Sequence, residues 1–553
     1  MTGDVGTRAV DAVLGANPFV RVDPTETLAA TGKVVARAVT RPRFVWRKSR
    51  AIAAEGGAIV AGRHEDTPGD RRFADETWRT NVFFRRWLQA YGMLERELKR
   101  LPDEVPVDED TADKARFLLS LMADAVAPTN LLFGNPSALR RARETRGRSL
   151  VAGARNFVHD LRHNGAMPSM VDRDAFTVGK QMACSPGAVV YRTDVLELIQ
   201  YQPTTVRVLR CPLVVVPPQI NKYYILDLAP GRSLIEHAVA RGQQVYAISW
   251  RNPDVEHRDW DLDLYVDETE RALAVARRIA RAPSVGVVGA CAGGITTAAA
   301  LAHLAARGVG RVGSATFLVT ALDARSPSTM TRFGTDQAVA KAIRRSRRRG
   351  VLAGEELARA FAWLRPNDLV WSYWVNNYLL GNEPPAFDVL AWNADSTNLP
   401  AGLHVDFLRL FATNALAHPK AFEIGGIPID LRDVEVDAYV LGASTDHITP
   451  WKACYDSSLL LGGETQFVLS SSGHIQALVN PPGNPRSRFL VNPALPGDPE
   501  TWLAGASEQE GTWWDHWLDW LAARSGDERR APRRLGSTAY PPLDPAPGHY
   551  VHG

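Results

Sequence analysis

From about residue 208 onward, short continuous apolar runs alternate with longer stretches whose apolar positions recur every three or four residues. Leu213-Val-Val-Val-Pro-Pro218 is the first such run, followed by a helical pattern over Ser233 to Arg241. Gln244 to Trp250 reads as a strand, Asp267 to Arg281 as a helix, and Val285 to Ala290 as a strand. Ile295 to Arg307 is helical, and Val312 to Thr320 is again a strand. Strands that are apolar throughout, rather than alternating, belong to a sheet covered on both faces. Their alternation with helices predicts a mostly parallel, right-handed α/β sheet. The rhythm lapses over residues 321–433, which are rich in Trp, Tyr, Asn and Pro, and resumes at Val434 to Gly442 and Thr465 to Ser470. An insertion of that length between two sheet strands is expected to form a lid at the site rim. Upstream, residues 1–200 read as a mainly helical N-terminal domain, with amphipathic stretches at Trp78 to Arg100 and Ala112 to Ala125. The expected division is therefore a helical domain over 1–200 and a catalytic α/β domain over 201–553. The aromatic residues of Trp513 to Trp520 fall at helical spacing and are expected to pack into the core.

Composition narrows the function classes. At 553 residues the chain is too long for one simple core. A net charge of +3 gives no global argument for nucleic acid. Arginines cluster at Arg140, Arg141, Arg143, Arg146 and Arg148, and at Arg344, Arg345, Arg347, Arg348 and Arg349; solvated helix faces are the expected reading. Four cysteines (Cys184, Cys211, Cys291 and Cys454) lack the spacing of a disulfide framework or a zinc site. His159 and His163 lie one helical turn apart without an acidic partner at useful spacing, so no metal is expected. The first eight residues show no basic segment leading into an apolar core, and no apolar run approaches the roughly 20 residues of a membrane span. A cytoplasmic, reducing location is expected.

One feature carries chemistry. The run Ser284-Val-Gly-Val-Val-Gly-Ala-Cys-Ala-Gly-Gly-Ile295 is an apolar strand that breaks on Gly-x-Cys-x-Gly-Gly before a helix. A nucleophile elbow holds its nucleophile in strained backbone geometry, so positions two before and two after it must be nearly free of side chain. Gly289 and Gly293 meet that need, and Gly294 lets strand and helix approach closely. The competing reading of Cys291 is a buried structural thiol. In an α/β-hydrolase the acid and then the histidine follow the nucleophile, each in a loop after a strand. Asp446 follows Tyr439 to Thr445, and His474 follows Phe467 to Gly473. His447 adjoins the acid and reads as structural, while His303 lies within the helix after the elbow, satisfied or exposed. Attack on a carbonyl needs two backbone N–H donors for the oxyanion. Ala292, directly after the nucleophile, and Ile220, in the loop after the 213–218 run, are the candidates.

Sulfur in place of oxygen is informative. A thiolate that attacks a thioester exchanges one thioester for another at little free-energy cost, so the acyl group stays activated. A serine ester would lose much of that activation. Cys291 points to acyl transfer from a thioester such as an acyl-CoA more than to hydrolysis.

Longer runs resemble one family. They are Asp70 to Asp75, Pro217-Pro-Gln-Ile-Asn-Lys-Tyr-Tyr224, Ser249-Trp-Arg-Asn-Pro-Asp254, Gly289 to Gly294, Arg365 to Gly381, Asp446-His-Ile-Thr-Pro-Trp451 and Gly473 to Pro482. In these the sequence resembles polyhydroxyalkanoate synthases, and looks most like the class II group that favours medium-chain 3-hydroxyacyl-CoA. The resemblance covers most of the chain and fades in about the first 65 residues. It implies that Cys291 holds the growing polyester, that His474 activates it, and that Asp446 is the acid and helps activate the incoming hydroxyl. It also implies (R)-3-hydroxyacyl-CoA as substrate, no cofactor beyond that thioester, an active homodimer, and a place on the surface of cytoplasmic polyester granules among granule-associated proteins. Two readings compete. One is a cysteine-dependent acyl-CoA thioesterase, and the other a non-catalytic granule-binding protein on an inactive hydrolase fold. A nicotinamide enzyme is disfavoured, because no GxGxxG follows a strand.

Overall fold

The computed structural model of the protein describes residues 24–64, 69–165, 167–325, 336–357, 367–446 and 448–553. These fall into two compact units. One holds the described residues up to 172 together with 367–385; the other holds 173–357 and 386–553.

The first unit is helical. Helices α1 (Pro24–Val39), α2 (Pro42–Val60), α3 (Val82–Glu104), α4 (Glu109–Ala125) and α5 (Arg148–His163) carry it. Side chains satisfy the first amides where the sequence supplies a cap: Asn81 accepts from Phe83 and Phe84 N–H, and Asp108 from Thr111 N–H. Val34, Ala38, Phe44, Val105 and Ala115 form one apolar cluster, and Phe73, Trp78, Leu88, Tyr91 and Ala127 a second. The aromatic strip expected in a lid joins this unit. Tyr378 donates its hydroxyl to Asp160 at 2.7 Å, Asn156 donates to the Asn377 and Asn382 carbonyls at 3.0 and 2.9 Å, and Gly153 lies so close to the Tyr378 backbone that a Cβ there would be 2.8 Å from its carbonyl carbon.

The second unit is built on an eleven-stranded sheet. In chain order its strands are β1 (Gly187–Arg192), β2 (Leu196–Tyr201), β3 (Leu213–Val216), β4 (Val245–Trp250), β5 (Val285–Ala290), β6 (Val312–Leu318), β7 (Ala438–Ala443), β8 (Thr465–Ser470), β9 (Arg488–Val491), β10 (Ser507–Glu510) and β11 (Asp544–Pro545). Across the sheet they run β10-β9-β8-β7-β6-β5-β3-β4-β2-β1-β11. The six central strands, β4 to β8 with β3 among them, pair in parallel, and the flanking strands pair antiparallel. The chain passes from β3 out to β4 and returns to β5 on β3's other side. In open α/β sheets ligands settle at such a reversal, outside the carboxyl ends of the strands.

Helices α6 (Leu262–Ala280), α7 (Ala292–Ala306), α8 (Asp336–Arg349), α9 (Ala401–Thr413) and α10 (Trp513–Ala522) belong to this unit. α7 is apolar nearly all round, and its residues from Ala292 to His303 are buried. The tail aromatics pack as the spacing predicts: Trp513, Trp514 and Trp517 are buried, with Trp513 Nε1 donating to Ala477 O at 2.7 Å and Trp517 Nε1 to Thr316 Oγ1 at 3.0 Å. The six central strands fall where the apolar runs place them. Strands β1 and β2, at 187–201, lie inside the stretch read from the sequence as helical, and they belong to the sheet. The insertion over 321–433 does not form one body: 367–385 go with the helical unit and its other described residues with the sheet. Among the described residues no helix is long and apolar enough to cross a membrane.

Candidate active site

Cys291 sits directly beyond β5 with φ +50° and ψ −121°. A side chain at positive φ costs on the order of 1–3 kcal/mol and persists only where its surroundings enforce it. The glycines around it provide that enforcement. A Cβ on Gly289 would meet Thr297 Oγ1 at 2.5 Å, one on Gly293 would meet the Pro217 carbonyl at 2.5 Å, and one on Gly294 would meet Thr320 Cγ2 at 2.6 Å. Strand, helix and the loop after β3 therefore close on the elbow to backbone distance. Cys291 N–H donates to Leu318 O at 2.9 Å, and Thr320 Oγ1 donates towards the Cys291 carbonyl at 3.3 Å. The backbone beneath the half-buried thiol is thus held from both sides.

Asp446 and His474 meet at this thiol. Both are buried, 6% and 3% exposed, and His474 Nδ1 lies 2.6 Å from Asp446 Oδ2. The Nδ1–H is committed to the carboxylate, which leaves Nε2 as the nitrogen available to Cys291. Burial alone would depress the imidazolium, but the Asp446 carboxylate and the Cys291 sulfur outweigh it and push the group up to about 10. Asp446 is fixed in turn by Ile448 N–H at 2.8 Å, Thr449 N–H at 3.1 Å and the Thr449 hydroxyl at 2.8 Å. His447, the rival histidine, lies outside the described residues. His303 is buried and paired with Glu270 at 2.7 Å. His159 and His163 stack at 4.6 Å on an exposed helix turn, and among the described residues no His, Cys, Asp or Glu group is arranged to hold a metal.

Ala292 opens α7, so its N–H has no acceptor within the helix and remains available. The loop carrying Ile220 is tied down along its length. Trp250 Nε1 donates to Pro217 O at 2.9 Å, Thr397 Oγ1 to Gln219 O at 2.9 Å, and Trp392 Nε1 to Lys222 O at 2.8 Å. Gln219 Nε2 reaches Thr296 Oγ1 on α7 at 2.9 Å, so the loop is referenced to the helix that begins at Ala292.

Known proteins match both parts of the chain. A family model described as "Poly-beta-hydroxybutyrate polymerase (PhaC) N-terminus" matches residues 69–238, and one described as "alpha/beta hydrolase fold" matches residues 212–481. Poly(3-hydroxyalkanoate) polymerase 2 of Ectopseudomonas oleovorans is 49% identical over 504 residues, which cover 91% of this chain and 90% of that protein. The chain belongs to the poly(3-hydroxyalkanoate) polymerase family. Poly(3-hydroxyalkanoate) polymerase 1 of the same organism is 44% identical over 547 residues, 99% of this chain and 98% of that protein. The polymerase subunit PhaC of Cupriavidus necator is 42% identical, over 89% of this chain and 85% of the relative. The resemblance read from the long sequence runs holds, as does the α/β-hydrolase fold.

Two residues of this polymerase-family site escaped the sequence reading. Thr449 touches both members of the pair and a strand end: its hydroxyl lies 2.8 Å from Asp446 Oδ2, 3.2 Å from His474 Nδ1 and 3.0 Å from Val319 O. Its position three residues after an aspartate, where side chain and backbone bond locally, was the available signal. Cys454 lies behind it, 3.5 Å from Thr449 O. Burial first, and then the Asp446 carboxylate, push its thiol well above the ordinary range, so it is an inert neighbour. No spacing rule points to it.

Proposed function

We propose that this member of the family polymerises (R)-3-hydroxyacyl-CoA, with medium-length side chains, into a polyester carried on Cys291 as a thioester. The observation that carries the reading is a thiol at positive φ beneath a buried His474–Asp446 pair, with the Ala292 amide free beside it. His474 takes the Cys291 proton and the thiolate attacks the thioester carbonyl. The Ala292 and Ile220 amides face the oxyanion, and CoA leaves as the free thiol with the proton from His474. The 3-hydroxyl of a second unit then gives its proton to His474 and attacks the Cys291 thioester. An ester forms, the Cys291 sulfur leaves with the proton from His474, and the lengthened chain, still a CoA thioester at its newest unit, is taken back by Cys291 through the same attack with release of that CoA. The thioester's own activation drives each transfer, so the chemistry calls for no metal and no cofactor. The medium-chain reading rests on the two Ectopseudomonas relatives and the class II likeness. The product is a water-insoluble polyester, so we place the protein at granule surfaces among granule-associated proteins, and propose a homodimer.

The test is incubation with 3-hydroxydecanoyl-CoA. CoA release with turbidity and polymer is expected, and Cys291→Ala abolishes both. Free 3-hydroxydecanoic acid without polymer would identify a thioesterase instead. CoA release by Cys291→Ala at the wild-type rate would remove the cysteine from the chemistry.

A further inference from the structure

Large apolar side chains left at the surface are concentrated in the helical unit, and two consecutive helices each expose a strip of them beside the buried face. On α2, Phe44, Lys48, Glu55 and Ile59 turn inward or half inward, at steps of four, seven and four. At 100° per residue, Val45, Ile52, Val60 and Trp46 then fall on one adjoining arc, and they are 39%, 40%, 71% and 62% exposed. Arg43, Arg47 and Arg50 fall together on the next arc. On helix α1, Thr27, Ala30, Val34 and Ala38 are buried and Leu28, Val35 and Val39 are exposed on the adjoining arc, while Lys33 and Arg37 lie across the buried face from them. Arg50 lies 4.6 Å over the exposed Trp46 ring, which places a cation at the edge of the apolar strip.

Charge selects the occupant. Residues 24–64 hold eight Lys or Arg against two Glu, a net +6 on a chain whose total is +3. Of the two glutamates, Glu55 is paired with Arg96. A second protein copy would bring the same positive charge, and an uncharged apolar surface would make no use of the arginine border. On α2 the exposed Trp, Val and Ile beside an arginine arc match the interface of an anionic phospholipid bilayer, where the apolar strip enters the acyl boundary and the guanidinium groups stay with the phosphates, and the exposed Leu and Val of α1 extend the apolar part. The region also precedes residue 69, where the matched polymerase N-terminal family model begins. From this layout we propose that α1 and α2 form a reversible docking surface for anionic phospholipid bilayers. Neither helix is a span: each lies on the lipid, not through it.

The test uses the full chain with sedimented vesicles of pure phosphatidylcholine, or of phosphatidylcholine with 30% phosphatidylglycerol. Partition onto the anionic vesicles is expected to exceed that onto neutral ones by at least about tenfold, and to fall by a similar factor between 0.1 and 0.5 M NaCl. Arg43→Glu/Arg47→Glu/Arg50→Glu should abolish the anionic preference, and Trp46→Ser should weaken binding about tenfold, with CoA release unchanged in both. Equal binding to the two vesicle types, or wild-type binding by the triple variant, overturns the proposal. So does a change of oligomeric state in Val35→Asp/Val39→Asp without loss of vesicle binding, which would assign the strip to a second copy.

Discussion

A carboxylate has room for about four donors, and four groups crowd Asp446. Oδ1 accepts the Ile448 and Thr449 amides, and Oδ2 accepts His474 Nδ1–H and faces the Thr449 hydroxyl. That crowding leaves little room for the hydroxyl of an incoming unit, and Asp446 is expected to act through the imidazole, whose Nδ1 it holds. This narrows the expectation that Asp446 helps activate the hydroxyl. Asp446→Asn is expected to slow first acylation and later elongation by the same factor, about 1,000- to 10,000-fold, as when an orienting acid loses its charge. Single-turnover CoA release set against chain extension measures both, and an elongation loss more than tenfold larger would restore a separate role. The same pair links stability to pH. His474 is raised to about 10, above the free imidazole near 6.5, so its protonated form favours the folded state. That contribution is complete below about pH 6.5 and is lost as pH rises through about 10. The melting-temperature gap between wild type and Asp446→Asn should be widest near pH 6 and close towards pH 10. A gap that grows with pH contradicts the assignment. Cys291, Asp446 and His474 were readable in the chain because strand ends and chain order select them. Thr449 was not, since its value lies in a three-way contact that spacing does not display.

The elbow is where three elements meet, and its glycines differ in what they face. Gly294 meets a side chain, Thr320, whose Cβ would be 2.8 Å from an added methyl, whereas Gly293 meets the backbone carbonyls of Val216 and Pro217. A methyl at Gly293 would push the loop after β3 away from α7, and that loop carries Ile220. Gly293→Ala should therefore lower kcat by at least about a hundredfold, comparable to losing one oxyanion donor, while KM changes little. Gly294→Ala should cost stability, about 1–3 kcal/mol of overpacking, more than rate. Steady-state kinetics and urea melts on the two variants decide it; equal rate losses would mean that the loop does not set the donor geometry. The parallel strands were legible because each is a continuous apolar run between covered faces. Strands β1 and β2 were hidden by polar residues that are buried and satisfied. Glu197 is wholly buried, yet accepts the His549 and Tyr550 amides at 2.9 and 3.0 Å and an ion pair from Arg192. A burial pattern completed by partners some 350 residues away cannot be read from local periodicity.

At the scale of the sheet unit, Lys222 joins what the sequence keeps furthest apart. It is 8% exposed, and its Nζ donates to Val551 O at 2.6 Å and Gly553 O at 3.0 Å while pairing with Asp395 at 3.0 Å. The loop after β3, the insertion and the turn at Tyr550–His552 are thereby held by one ammonium group, two residues from Ile220. A buried cation with three partners adds little beyond its desolvation when intact, but its removal leaves buried acceptors unpaired. Asp395 keeps the Tyr224 hydroxyl at 2.7 Å, so the two carbonyls bear most of the loss. Lys222→Met, which preserves the side-chain stem, should therefore destabilise the fold by about 2–4 kcal/mol and lower kcat more than it raises KM, because the Ile220 amide loses its reference. Lys222→Arg should not restore the rate, since a planar fork cannot reproduce three donors converging on one point. If Lys222→Met lost stability with an unchanged kcat, the loop would owe its position to Trp250, Thr296, Thr397 and Trp392 alone.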